Sequence, residues 1–170
     1  MSAARKFQTV SELIDHDEAA PMASSEFDDA LWLLLCDLSL RELEQLPPPV
    51  RHYFASRYLQ WDVGNGGFAQ AAYNIPEFFG PAADGYEALG YRDAARLIRD
   101  AMKYLPKERA ELERKNLLSA TIDKVFDHFN ESRMAAFDAK IREMPWEIDA
   151  ERVAYVRKHR DVFRSLGQTG

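Results

Sequence analysis

A chain of 170 residues with 46% hydrophobic and 29% charged residues is long and apolar enough to bury a core, which excludes a disordered or collagen-like chain. Its single cysteine, Cys36, cannot form an intrachain disulfide framework. The net charge of −6 sits at the front: residues 1–49 hold ten acids and three bases, residues 50–170 eighteen acids and nineteen bases. No basic stripe is present, so direct nucleic-acid binding is disfavoured.

Helical periodicity dominates, and strand-like alternation is nearly absent. Thr9 and Glu12 have capping-box spacing ahead of Phe7, Val10, Leu13 and Ile14, and the helix they start stops before Pro21. Ser24 or Ser25 is expected to cap the next helix, whose run "ALWLLLCDL" suits a buried position. Ser39 and Glu42 repeat the capping-box spacing before Pro47-Pro48-Pro49, a stiff connector and the one soft boundary in the chain. The apolar run from Ala30 to Cys36 is much shorter than the ~20 residues of a membrane span. No basic n-region with an apolar h-region precedes it, so a cytoplasmic location and no membrane partner are expected.

Val50, Tyr53, Phe54, Tyr58 and Trp61 then follow helical spacing, and Phe68, Ala72 and Ile75 resume the same stripe. Between them lies "GNGG", residues 64–67, which admits three readings. One helix could end at Gly64 and another start at Asn65, with Asn65 as N-cap. The helix could run through, the glycines admitting close approach at a cost of roughly 3 kcal/mol against alanine. Or Gly66 and Gly67 could offer free N–H groups to an anion.

Residues 76–90 hold two prolines and three glycines and predict at most one helical turn, near Tyr86 to Leu89. Ala94, Ile98, Ala101, Met102 and Leu105 mark a helix closed by Pro106, and residues 107–115 read as a solvated, ion-paired face. Leu118, Ile122, Val125, Phe126 and Phe129 form a further stripe, as do Met134, Phe137 and Ile141. Asp149 is expected to cap a last helix burying Val153, Val156 and Phe163. The fold class is therefore all-α, an irregular single-domain bundle of about seven to nine helices. Acidic N-terminal helices (1–49) would pack on a core (50–164).

The stretch "WDVGNGGFAQAAYN" resembles the NGGF-x-Q-x-x-x-N signature of the DNA-mimic-protein-nineteen-like family. Trp61, Asn65, Gly66, Gly67, Phe68, Gln70 and Asn74 stand in it. "YEALGYRDAARLIRDAM" and "YVRKHRDVF" match more loosely, so the resemblance covers roughly residues 50–164. It implies a bacterial all-helical domain, without cofactor, metal or catalytic residue, whose acidic surface occupies the DNA-binding face of a transcription regulator. The signature positions are implied to be structural. A homodimer is also compatible with it.

B-DNA carries about one negative charge per ~1.7 Å of axis. With 28 acids against 22 bases, only a local patch could imitate it. Asp28, Asp29, Glu42 and Glu44 are the candidates, with Asp15, Asp17 and Glu18 near them in sequence. The competing class is a small-ligand-binding or metal-dependent, enzyme-like domain. It would centre on Asn65, Gln70 and Asn74, or on Asp123, Asp127, His128 and Glu131. Trp32, Trp61 and Trp146 are expected to pack.

Overall fold

The computed structural model describes residues 6–36, 40–145 and 148–166. Among these residues there are eleven α-helices, nine of them of seven residues or more, and no strand. The bundle is thus all-α, with two short helices beyond the expected count. In order they are α1 (Val10–Ala19), α2 (Ser24–Leu35), α3 (Leu40–Gln45), α4 (Pro48–Asn74), α5 (Phe79–Ala88) and α6 (Arg92–Met102). Then follow α7 (Leu105–Arg114), α8 (Ile122–Glu131), α9 (Ala135–Arg142), α10 (Asp149–Lys158) and α11 (Arg160–Arg164). Short 3₁₀ turns, Pro76–Phe78 and Leu117–Ser119, precede α5 and α8. No helix among the described residues is long and apolar enough to cross a membrane.

The chain forms two compact units, residues 1–54 with 148–170, and residues 55–147. The division falls after Phe54, within α4, rather than at the triple proline. In the first unit α1 packs on α2 and α11, and α2 on α10. Leu13, Phe27, Leu31, Val153, Val156 and Phe163 are its buried apolar centre. Tyr53 is enclosed with them; its hydroxyl donates to the Asp28 carbonyl at 3.1 Å, and its ring meets Phe163 edge-on at 6.0 Å. In the second unit α6 packs on α5 and α9. Phe68 lies 5.9 Å, ring to ring, from both Phe79 and Phe137. Each such buried ring contributes roughly 1.5–3 kcal/mol.

The Thr9–Glu12 capping box forms on both sides: Glu12 N–H donates to Thr9 Oγ1 at 3.1 Å, and Thr9 N–H to the Glu12 carboxylate at 3.3 Å. Other expected caps are displaced by one residue. Helix α2 begins at Ser24 with Ala23 as N-cap, and α10 begins at Asp149 with Ile148 as N-cap. Asp149 turns to Arg152 instead. Ser39 and Trp146 lie outside the described residues.

The segment expected to be irregular, residues 76–90, is mostly helix α5. Pro81 stands in its first turn, where a missing N–H costs no hydrogen bond. A Schellman closure ends it: Gly90 (φ 92°) donates to the Glu87 carbonyl at 3.0 Å and Tyr91 to the Tyr86 carbonyl at 2.8 Å. Two members of the α8 stripe are not core, since Leu118 and Phe126 are exposed while Val125 and Phe129 are buried. Trp61 is likewise exposed, by 49%.

Candidate functional site

Helix α4 is broken, at Gly66 (φ −156°, ψ 18°) and Gly67 (φ 79°, ψ −178°). The break is two residues later than Gly64–Asn65, and Asn65 does not cap the second segment. Phe68 N–H instead donates to Asp138 Oδ1 of α9 at 2.8 Å, so a carboxylate seventy residues away caps the new helix start. Negative charge there is favoured by the helix dipole. The sequence admits an anion at these N–H groups, and the protein's own carboxylate takes that place at Phe68.

The two glycines are required for different reasons. A Cβ on Gly67 would stand 2.5 Å from Asp138 Oδ2, and its φ and ψ lie in a region essentially reserved for glycine. A Cβ on Gly66 would stand 2.0 Å from Gln70 Oε1, so the Gln70 carboxamide lies over this position. Burial pushes the Asp138 carboxyl up, against the Phe68 N–H and the Arg142 charge, which favour its ionised form. Beside the break is an open cavity of about 460 Å³ whose lining includes Asn65, Asn130, Asp138 and Arg142.

The remaining signature residues meet at Asp62, 2% exposed, one turn before Gly66. Asn74 Nδ2 donates to Asp62 Oδ1 at 3.0 Å, while Oδ2 has no hydrogen-bond partner. Burial raises the Asp62 pKa, opposed by the amides of Asn74 and Gln70. Asp62 in turn raises the pKa of Tyr58, where burial is the larger cause. Gln70 and Asn74 therefore serve a buried carboxylate. The sequence motifs point to none of Asp62, Asp138 and Glu108. Asp62 lies inside the motif, at helical spacing from Gly66, whereas nothing local marks Asp138.

The N-terminal acids divide sharply. Asp29, Glu42 and Glu44 are exposed. Asp28 is not available to a partner: it is 1% exposed, with Oδ1 3.7 Å from Arg152 Nε. The inward stripe of α2 is Phe27, Asp28, Leu31 and Leu35, and Asp28 falls on it. Asp17 is buried too and receives both Nε and a terminal nitrogen of Arg157 at 2.8 Å. Asp15 and Glu18 are bridged by Arg164, and Glu18 also by Arg160 at 2.9 Å.

His128 does not face Asp127 or Glu131. Its Nε2 stands 2.8 Å from Glu108 Oε1, and Ser132 Oγ donates to Glu108 Oε2 at 2.7 Å. Asp127 is exposed, and the Asp123 side chain lies outside the described residues. Among the described residues no group of three or more His, Cys, Asp or Glu side chains is placed to hold a metal ion.

The sequence model of one family, described as DMP19-like protein, matches residues 44–159. No curated protein and no solved structure matches the chain significantly.

Proposed function

This chain belongs to the DMP19-like family, and we propose that it is a non-enzymatic protein-binding module, a DNA mimic that occupies the DNA-binding face of a basic regulator in the cytoplasm. The exposure of Asp29, Glu42 and Glu44 carries this reading, because these carboxylates stand in the most acidic third of the chain. Asp28 and Asp17 drop out of the recognition surface because they are buried, and Asp15 and Glu18 are exposed but ion-paired to Arg164. The set of exposed carboxylates is therefore smaller than the charge of residues 1–49 implies. Its attraction for a partner is long-range and falls as salt rises.

The test is capture from the native host at low salt by the wild-type chain and by Asp29→Asn/Glu42→Gln/Glu44→Gln. The wild type should retain a DNA-binding regulator that elutes above a few hundred millimolar salt, and the triple variant should not. Equal retention of that regulator by both chains would discard the reading.

A further inference from the structure

A cavity of about 330 Å³ in the second unit has a buried hydrogen-bonded floor. Met134 N–H donates to Ser132 Oγ at 3.0 Å, Ser132 O–H to Glu108 Oε2 at 2.7 Å, and His128 Nε2 meets Glu108 Oε1 at 2.8 Å. Glu108, His128 and Ser132 are 7%, 4% and 9% exposed. The Lys115 ammonium can only donate, and it meets His128 Nδ1 at 3.2 Å, so Nδ1 accepts and the ring proton sits on Nε2, toward Glu108.

The acceptors of this cavity are already engaged. Glu108 is taken by His128 and Ser132. Glu111 is gripped by Arg114 at 2.5 and 3.0 Å, which holds its pKa down at about 2, and it lies 3.6 Å from Lys115. Glu131 approaches Lys115 at 3.9 Å. The exposed cations at the mouth lack an acidic partner among the described residues. Lys107 lies 5.8 Å over the Tyr104 ring, and neither it nor Arg133 meets a carboxylate among the described residues. The Tyr104 hydroxyl has no hydrogen bond there either.

A ligand that complements this surplus carries acceptors and negative charge. We propose that the cavity binds a small oxyanion, a phosphate or compact carboxylate group, through Lys107, Arg133 and the Tyr104 hydroxyl, above the Glu108–His128 floor. The guanidinium of Arg133 offers paired donors that match two oxygens of such a group, and Lys107 adds a point charge. The volume is at the small end of the usual ligand range, which suits a compact anion. This site is independent of the acidic recognition surface.

The test follows the His128 imidazole resonances by NMR at constant ionic strength, while inorganic phosphate or malonate is added. One or both should shift the resonances saturably. Phosphate alone identifies a phosphoryl ligand, malonate alone a carboxylate one, and both a general oxyanion site. Lys107→Met/Arg133→Met removes two exposed cations without touching the floor and should weaken binding about tenfold or more. Lys124→Met, on exposed α8 surface, should leave it unchanged. No saturable shift with either anion, or equal binding by the double variant, would overturn the proposal.

Discussion

The two units treat a carboxylate wholly or partly withdrawn from water in opposite ways. In the first, Asp17 is matched by a two-pronged arginine, Arg157, and by the Met22 N–H at 2.8 Å; Arg157 is the main reason its pKa is lowered. In the second, Asp62 and Asp138 are met by side-chain amides and a backbone N–H, and burial raises both. The first arrangement uses charge to tie α1 to α10. The second uses carboxylates as helix cap and packing group, tolerating the desolvation of their charge. Unit-scale electrostatics follow from this. Arginines from α10 and α11 offset acids of α1 and α2, so the front-loaded charge of the sequence is partly cancelled within its own unit.

The sharpest way to break that contrast is to remove an arginine from beneath its acid. Arg152 is fully buried between Asp28 and Asp149. Arg152→Met should destabilise the first unit by ~3–5 kcal/mol, since it removes the buried cation beside Asp28. Adding Asp28→Asn should restore much of that loss, because the remaining group is neutral. Urea unfolding midpoints of the single and double variants measure both effects. Equal destabilisation of the two would mean that Arg152 matters through packing alone.

A smaller effect separates the two glycines at the break in α4. Gly67→Ala must bring a methyl group against the Asp138 carboxylate in a backbone region costing ~1–3 kcal/mol, so a loss of about 2–3 kcal/mol is expected. Gly66→Ala meets the Gln70 side chain, whose carboxamide end can swing away, and its φ is not positive, so a smaller loss of about 1 kcal/mol is expected. Asp138→Asn keeps an acceptor for Phe68 N–H, whereas Asp138→Ala removes the cap at ~1 kcal/mol. Thermal unfolding of the four variants ranks them. If Gly66→Ala were as damaging as Gly67→Ala, the role assigned to the Gly67 conformation would be wrong.

How far the sequence anticipates this structure depends on the range of the interaction. Local signals read correctly: the Thr9–Glu12 box, the stop before Pro21, and the buried stripe of Met134, Phe137 and Ile141. The broken helix is legible as well, because consecutive glycines are expensive in a helix interior. Its exact junction is not, since the deciding partner, Asp138, is remote in sequence. Residues 76–90 mislead for a related reason. Proline in a first turn and glycine against Met102 are tolerated once a helix has tertiary packing. Charge patterning misleads most: Asp28 looks like its exposed neighbour Asp29, and only the α2 face distinguishes them.

The subtlest expected effect is a difference of sign with pH. Asp62 has a raised folded pKa, so the folded chain holds a proton where the unfolded chain, near pH ~3.9, has lost it. Stability contributed by that protonation is complete below the unfolded value and fades as pH rises through the folded one. Asp17 runs the other way: its contribution is present above ~3.9 and is lost as pH falls through its lowered folded pKa. Asp62→Asn keeps an oxygen for Asn74 Nδ2 while abolishing the buried charge. It should therefore be closest to neutral in acid and become stabilising as pH rises through the raised folded pKa of Asp62. Asp17→Asn should be most harmful at neutral pH and lose its penalty in acid. Calorimetric melting across that range compares the two slopes directly. Parallel slopes for the two variants would erase the distinction between arginine-matched and amide-matched carboxylates, because desolvation would then no longer outweigh the amide hydrogen bonds at Asp62.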